Sequence, residues 1–192
     1  MSYSLGEYED LCKKAARGSG MHWGQAEEVG KAARGLSTYG LDDGRLIVTA
    51  IKCFSEENAL WVGPAFCDAG ADFKYTVNLP GVVSPALMLP FLQMMLGDKD
   101  ISLKIDWIGF EGILSSSEIF CLRSEGFTEV GPANIRIKSI EKFVPVNSNR
   151  CSGVNVDEKA LIQLNEFAYK TYAPSTHESR MAGAGAGLND ND

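Results

Sequence analysis

The stretch Ile101–Trp107 alternates large apolar side chains with Ser102, Lys104 and Asp106. Because successive side chains of a strand point to opposite faces, this pattern predicts a half-buried strand with Lys104 and Asp106 turned outward. A slip of one residue would move the whole apolar set to the solvent face. The chain must therefore build a sheet that has one covered face.

Helical patterns precede this strand. Ser4 and Glu7 form the Ser-x-x-Glu capping box that opens a helix, and Gly18-Ser19-Gly20 is expected to end it. A second helix is predicted from about residue 22 to residue 39, where Gly40 stops it. Asp42 or Asp43 is a candidate cap for a third segment that runs through residue 54, although its 46–51 portion has the composition of a strand.

The middle of the chain reads as strands around one inserted helix. The predicted strands cover residues 73–79, 101–107, 110–114, 118–122 and 134–140. Pro80-Gly81 is expected to turn the chain, and Ser84-Pro85 to start a helix that reaches Leu96. Pro90 inside this helix is expected to kink it or to break an early turn. A last helix is predicted from about residue 155 to residue 173, before Pro174.

This order predicts an α+β fold with N-terminal helices, a mainly antiparallel sheet with an inserted helix, a C-terminal helix and a glycine-rich tail. We expect a single domain over residues 1–192, with 174–192 as a tail segment.

The composition argues against a nucleic-acid partner. The net charge is −7, and the sequence has no basic stripe that could bind the phosphate groups. The five cysteines include no C-x-x-C pair, so we expect free thiols in a reducing cytoplasm, with Cys12, Cys53 and Cys121 in the core.

The longest apolar stretch, 82–96, is too short and too broken by proline to span a membrane. The start of the chain does not have the pattern of a signal peptide.

The C-terminal twenty residues concentrate unusual chemistry. If Pro174 opens a short helix, then Thr176, Ser179 and Arg180 share one face and suit a carboxylate or phosphate. The alternating glycines that follow would let backbone amides approach a ligand closely. The alternatives are a frayed terminus, a hard-cation site at residues 190–192 and a serine nucleophile at Ser179.

The glycine-rich turn at residues 18–20 leads into a helix start that carries Trp23 and Glu27. Free backbone amides at such a start attract anions. The alternative is an ordinary helical hairpin in which Trp23 belongs to the core.

Two segments carry a resemblance to a known family. Lys-Ala-Ala-Arg-Gly-Ser-Gly and Trp-Gly-Gln-Ala-Glu-Glu, within residues 11–36, resemble the start of a family of proteobacterial proteins that share a domain of unknown function. Phe167–Arg180 and the Gly-Ala-Gly-Ala-Gly-Leu-Asn-Asp-Asn-Asp end resemble the C-terminal signature of the same family. The resemblance implies an ordered tail and brings no activity, cofactor or catalytic residue with it.

These features lead to two hypotheses. The first is a pocket for a small anionic metabolite between the N-terminal helix pair and the tail, lined by Trp23, Glu27, Thr176, Ser179 and Arg180. The second is a non-catalytic assembly module in which the tail straps a homodimer together. Neither assigns a catalytic residue, a cofactor or a metal, and whether the chain is an enzyme is left open.

Overall fold

The computed structural model describes residues 2–70, 75–97, 99–143 and 150–172. The predictions that concern Phe73 and residues 173–192 therefore lie outside the described residues, and these include the tail residues Thr176, Ser179 and Arg180. Within the described part of the chain, no helix combines the length and the apolar character that a membrane span requires. The cytoplasmic location stays a prediction.

The N-terminal third is helical, as predicted, and is preceded by a short strand. The elements are β1 (Ser2–Ser4), α1 (Leu5–Gly18), α2 (Trp23–Ser37), α3 (Arg45–Lys52) and α4 (Ala59–Ala69). The capping box is present, since Glu7 N–H donates to Ser4 Oγ and Ser4 N–H donates to Glu7 Oε2. Gly40 follows α2 with a φ of 68°, a conformation that favours glycine.

The remaining elements alternate strands with one helix and end in a helix. They are β2 (Val77–Val82), a 3₁₀ turn (Pro85–Leu87), α5 (Met88–Leu96), β3 (Ser102–Trp107), β4 (Phe110–Leu114), β5 (Ile119–Arg123), β6 (Ala133–Ile140), β7 (Gly153–Asn155) and α6 (Glu158–Tyr169). Five strands form one sheet in the order β2-β6-β3-β4-β5, antiparallel throughout, and β1 pairs with β7. The α+β class is confirmed.

The predicted register holds within β3. Leu103, Ile105 and Trp107 are buried, whereas Lys104 and Asp106 are partly exposed. The pattern fails at the start of the stretch, because Ile101 precedes the strand and is only partly buried while Ser102 is fully buried. On the outer face Lys104 pairs with Glu111 and Asp106 pairs with Arg136 of β6. The alternation in the sequence thus marks which face of the sheet meets the core.

Some local predictions were wrong. Pro80-Gly81 does not end the strand but lies inside β2, where the pairing with β6 shifts register between Leu79 and Val82. A proline at a bulge removes no ladder hydrogen bond that the strand requires. The helix predicted from Ser84-Pro85 to Leu96 starts as the 3₁₀ turn, and α5 begins only at Met88, in line with the expected break of an early turn. Pro90 is the third residue of α5, where a backbone N–H has no partner within the helix, so α5 continues past it.

The sequence patterns missed the helix α4 as well as the two short strands β1 and β7. Helix α4 contains Pro64 and carries no clear polar face, so neither helical periodicity nor propensity revealed it. Its start is fixed instead by the buried Asn58, whose side chain accepts from Leu60 N–H and donates to the carbonyl of Ala50.

Small residues let α1 pack closely between α2 and α6. A Cβ at Gly30 of α2 would lie 3.0 Å from the carbonyl oxygen of Glu9. A Cβ at Gly18 would lie only 1.8 Å from the carbonyl oxygen of Phe167 in α6. The end of α6 therefore lies directly against the α1–α2 turn.

All five cysteines are free thiols. Cys12 is fully buried, as expected of a core residue, and Cys121 is half-buried. The core prediction for Cys53 was wrong, because this residue is exposed at the C-terminal end of α3.

The close approach at Gly18 gives a testable prediction. Gly18→Ala should lower the free energy of unfolding by about 1–3 kcal/mol, because the added methyl group overlaps the Phe167 carbonyl and forces α6 away. Gly6→Ala is the matched control in the same helix, since a Cβ there meets nothing within 4 Å. Urea denaturation of both variants measures the effect, and equal stabilities would contradict the close packing.

Candidate functional site

A cavity of about 500 Å³ lies beside the α1–α2 turn, and we call it the turn cavity. It is lined by Ser19, Gly20, Met21, His22, Gln25, Ile51, Lys52, Phe54 and Trp61. The turn, the end of α3 and the start of α4 thus form its walls. The sequence predicts an anion site at this turn.

The shape of the turn follows from its local hydrogen bonds. Gly20 has a φ of 106°, which a residue with a Cβ rarely adopts. The guanidinium of Arg17 donates to the carbonyl of Met21 at 2.6 Å. The Gln25 side chain accepts from His22 N–H at 3.0 Å and so fixes the first turn of α2. The positive end of the α2 dipole is therefore held at the cavity.

The charges in the lining favour an anion. Among the residues that the structure describes, His22 and Lys52 are the only titratable side chains of the lining and no carboxylate belongs to it, although the chain as a whole carries a net charge of −7. Lys52 Nζ donates to Gln163 Oε1 of α6 at 2.5 Å, which ties this lining residue to α6. The turn cavity is a basic spot in an acidic protein.

The two described residues of the predicted site lie near this turn without lining the cavity. The indole of Trp23 is 62% exposed, with the Arg17 guanidinium 5.2 Å from its ring centroid. The alternative that places Trp23 in the core was therefore wrong. Glu27 forms an ion pair with Lys13 at 3.4 Å on the side of α2 that faces α1.

A larger cavity of about 590 Å³ lies on another part of the molecule, and we call it the acidic cleft. Its walls come from the α2–α3 connection with the start of α3, the β5–β6 connection and the segment that contains β7. Asp42, Asp43 and Arg45 are its charged residues. The Arg45 guanidinium binds the Asp43 carboxylate through two nitrogens and holds the pKa of Asp43 below its usual range.

Neither Asp42 nor Asp43 is the N-cap residue of α3, so the predicted cap position was wrong, although Asp43 Oδ1 accepts from Arg45 N–H at 3.2 Å at the start of the helix. Asp42 is buried. Gly44, with a φ of 95°, occupies the N-cap position instead. The Tyr8 hydroxyl of α1 donates to Asp42 Oδ2 at 2.5 Å, and Gly44 N–H donates to Oδ1 at 3.0 Å. The Asp42 side chain, which the sequence suggests as a helix cap, is therefore hydrogen-bonded to the hydroxyl of a core tyrosine instead.

Burial dominates the electrostatics of this pair. Desolvation raises the pKa of Asp42 to about 6, and the hydrogen bonds from Tyr8 and from backbone amides only partly oppose it. Burial also raises the pKa of Tyr8 and of the neighbouring Cys12 thiol. Both groups are therefore neutral, and Asp42 is the one member of the cluster that changes charge near neutral pH.

The sequence did not identify Asp42 or Lys52 as residues that line a cavity. The Asp42-Asp43-Gly44-Arg45 run carried a signal, because it has the composition of a turn as well as that of a helix start. The sequence around Lys52 gives no sign of a cavity. A lysine in the last turn of a short helix is already expected, because its charge interacts favourably with the helix dipole.

The raised pKa of Asp42 predicts an unusual pH dependence. An acid whose pKa is higher in the folded state than in the unfolded chain destabilises the fold once it ionises, so this penalty is absent below about pH 4 and complete above about pH 6. The Asp42→Asn variant removes the titration. The stability difference between variant and wild type should change by about 1–3 kcal/mol between these pH values, in favour of the variant at higher pH. Parallel denaturation series measure it, and a constant difference would contradict the raised pKa.

Comparison with known proteins gives one match. Residues 3–64 match the model of a family described as "Protein of unknown function (DUF3726)". Neither the curated proteins nor the solved structures yielded a match. The proteobacterial origin and the C-terminal signature stay predictions. The matched segment runs from β1 into α4 and contains every lining residue of the turn cavity, so over this segment the chain is similar to a family of unknown function.

Proposed function

We propose that the protein binds a small anionic metabolite at the turn cavity. The observation that carries this proposal is the charge of the lining, which combines Lys52, His22 and the N-terminal end of α2 and in which the described residues contribute no carboxylate. In a chain of net charge −7, a concave site of this sign attracts an anion locally while the rest of the surface repels it. Trp61 and Phe54, which pack edge to face 6.1 Å apart, add an apolar wall for the body of the ligand.

The proposal extends to the tail. The end of α6 lies against Gly18, and Thr171 would be 3.4 Å from a Cβ at that position. The described chain ends one residue later, at Tyr172. The tail residues Thr176, Ser179 and Arg180 follow within eight positions, which supports their proposed role, together with Trp23 and Glu27, at the margin of the anion site.

Anion binding is tested by calorimetry with inorganic phosphate and with citrate as probes. Lys52→Gln should weaken binding by about three- to tenfold, because it removes a partly solvated charge from the lining. Lys14→Gln is the matched control, since it makes the same change at an exposed position of α1 outside the cavity. Arg180→Ala tests the tail separately and should also weaken binding. Equal affinities for all variants, or no saturable binding, would contradict the proposal.

A second candidate function is a homodimer in which the tail acts as a subunit strap. Exposed aromatic side chains favour it: Tyr169 and Tyr172 are 77% and 60% exposed and pack together 5.9 Å apart at the end of α6. Ile162 of the same helix is also exposed. A pair of uncovered rings next to the start of the tail suits an interface between subunits.

The assembly hypothesis predicts that the full chain is a dimer and that a chain ending after Tyr172 is a monomer. Light scattering coupled to size-exclusion chromatography distinguishes the two masses. A Tyr169→Ser, Tyr172→Ser double variant of the full chain should likewise dissociate. A full chain that is monomeric at micromolar concentration would eliminate this hypothesis and leave the anion site unaffected.

A further inference from the structure

The acidic cleft has features that the turn cavity does not explain. At about 590 Å³ its volume falls in the range of small-molecule sites. Its charged lining residues are two carboxylates and one guanidinium, and that guanidinium is already bound to Asp43. The carboxyl group left over belongs to Asp42, which is 7% exposed.

Asp42 has unused capacity to accept hydrogen bonds. Each carboxylate oxygen can accept about two. Oδ2 accepts from the Tyr8 hydroxyl and Oδ1 from Gly44 N–H, the backbone amide of Asp43 adds a further hydrogen bond to the carboxyl group, and all of these donors are neutral. In the described part of the chain, no basic side chain donates a hydrogen bond to Asp42. A buried carboxylate without a cationic partner is costly, and a cation from outside would stabilise it.

A second buried polar group lies at the acidic cleft. Ser37 also lines the acidic cleft, is 1% exposed, and its Oγ has no hydrogen-bond partner among the described residues. Buried hydroxyl groups almost always have a partner, so this hydroxyl beside the cavity is available to hydrogen-bond a molecule that enters it.

The rest of the lining is suited to an organic ligand rather than to a metal ion. Apolar side chains from three segments face the cleft, namely Leu41, Leu46, Phe127, Val130 and Val154. The described residues contain no group of three histidine, cysteine or acidic side chains that could hold a metal. An apolar body that carries one positive group matches both parts of the lining.

We propose that the acidic cleft binds a small organic cation, with an ammonium group held by Asp42 and an apolar body packed against Phe127, Leu46 and Val154. This site is independent of the turn cavity and takes a ligand of opposite charge. Only the ionised carboxylate of Asp42 attracts the cation, so the affinity for the cation rises as Asp42 loses its proton.

The charged and titratable groups around Asp42 set the pH at which this happens. Tyr8 and Cys12 face it from α1 and stay neutral, while Asp43 disfavours its ionisation and Arg45 favours it from the start of α3. Asp43 and Arg45 are paired with each other, so their opposing effects on Asp42 largely cancel. Affinity for the cation should therefore increase between about pH 5 and pH 7.5.

The test is an NMR titration of the full-length protein with benzylammonium chloride and with benzyl alcohol, its uncharged analogue. Benzylammonium should shift the amides of residues 42–46, 127–130 and 153–155, and should bind at least about tenfold more tightly than the alcohol. Asp42→Asn should remove this difference. Shifts at other amides, equal affinity for the two probes, or no saturable binding at millimolar concentration would overturn the proposal.

A second pair of variants keeps the test decisive if Asp42→Asn does not fold. Thr128 is an exposed residue of the cleft wall, away from the Tyr8–Asp42 hydrogen bond, so Thr128→Trp should block the cleft without disturbing the core. Ser124→Trp places the same bulk on an exposed position outside the cleft. Loss of benzylammonium binding in the first variant alone supports the proposal, and retention in both overturns it.

Discussion

The buried hydrogen bond between Tyr8 and Asp42 is the contact on which the helical half of the structure depends. It joins the N-terminal turn of α1 to the connection between α2 and α3. The same connection is held on its other side by α6, because Asp157 N–H donates to the carbonyl of Asp43 and a Cβ at Gly44 would touch Val156 and Ala160. Three helices thus converge on one turn, and a carboxyl group is enclosed where they meet.

The turn cavity and the acidic cleft differ in the charge of their linings. Among the described residues, the titratable side chains of the turn cavity are Lys52 and His22, whereas at the acidic cleft the carboxylates outnumber the guanidinium. An overall charge of −7 says nothing of this difference. Because one cavity favours anions and the other favours cations, the two proposed ligands are of different chemical classes and their binding can be studied independently.

Much of the fold could be predicted from the sequence, and the failures have physical causes. The capping box at Ser4 and the alternation of β3 are local signals that the structure keeps. α4 was missed because it is apolar nearly all round and contains Pro64, so its stability comes from packing against α5 and α2. The role of Asp42 was missed because its partner Tyr8 lies thirty-four positions away, and no local pattern reveals a contact between two helices. The site residues Thr176, Ser179 and Arg180 stay predictions.

The state of Asp42 is the central claim, since the packing of the turn and the charge of the acidic cleft both depend on it. The most direct measurement is a ¹³C NMR titration of its side-chain carboxyl carbon in the folded protein. The account predicts a midpoint near pH 6, raised by burial against Tyr8. A midpoint at or below about 4, the value of a solvated aspartate, would contradict it.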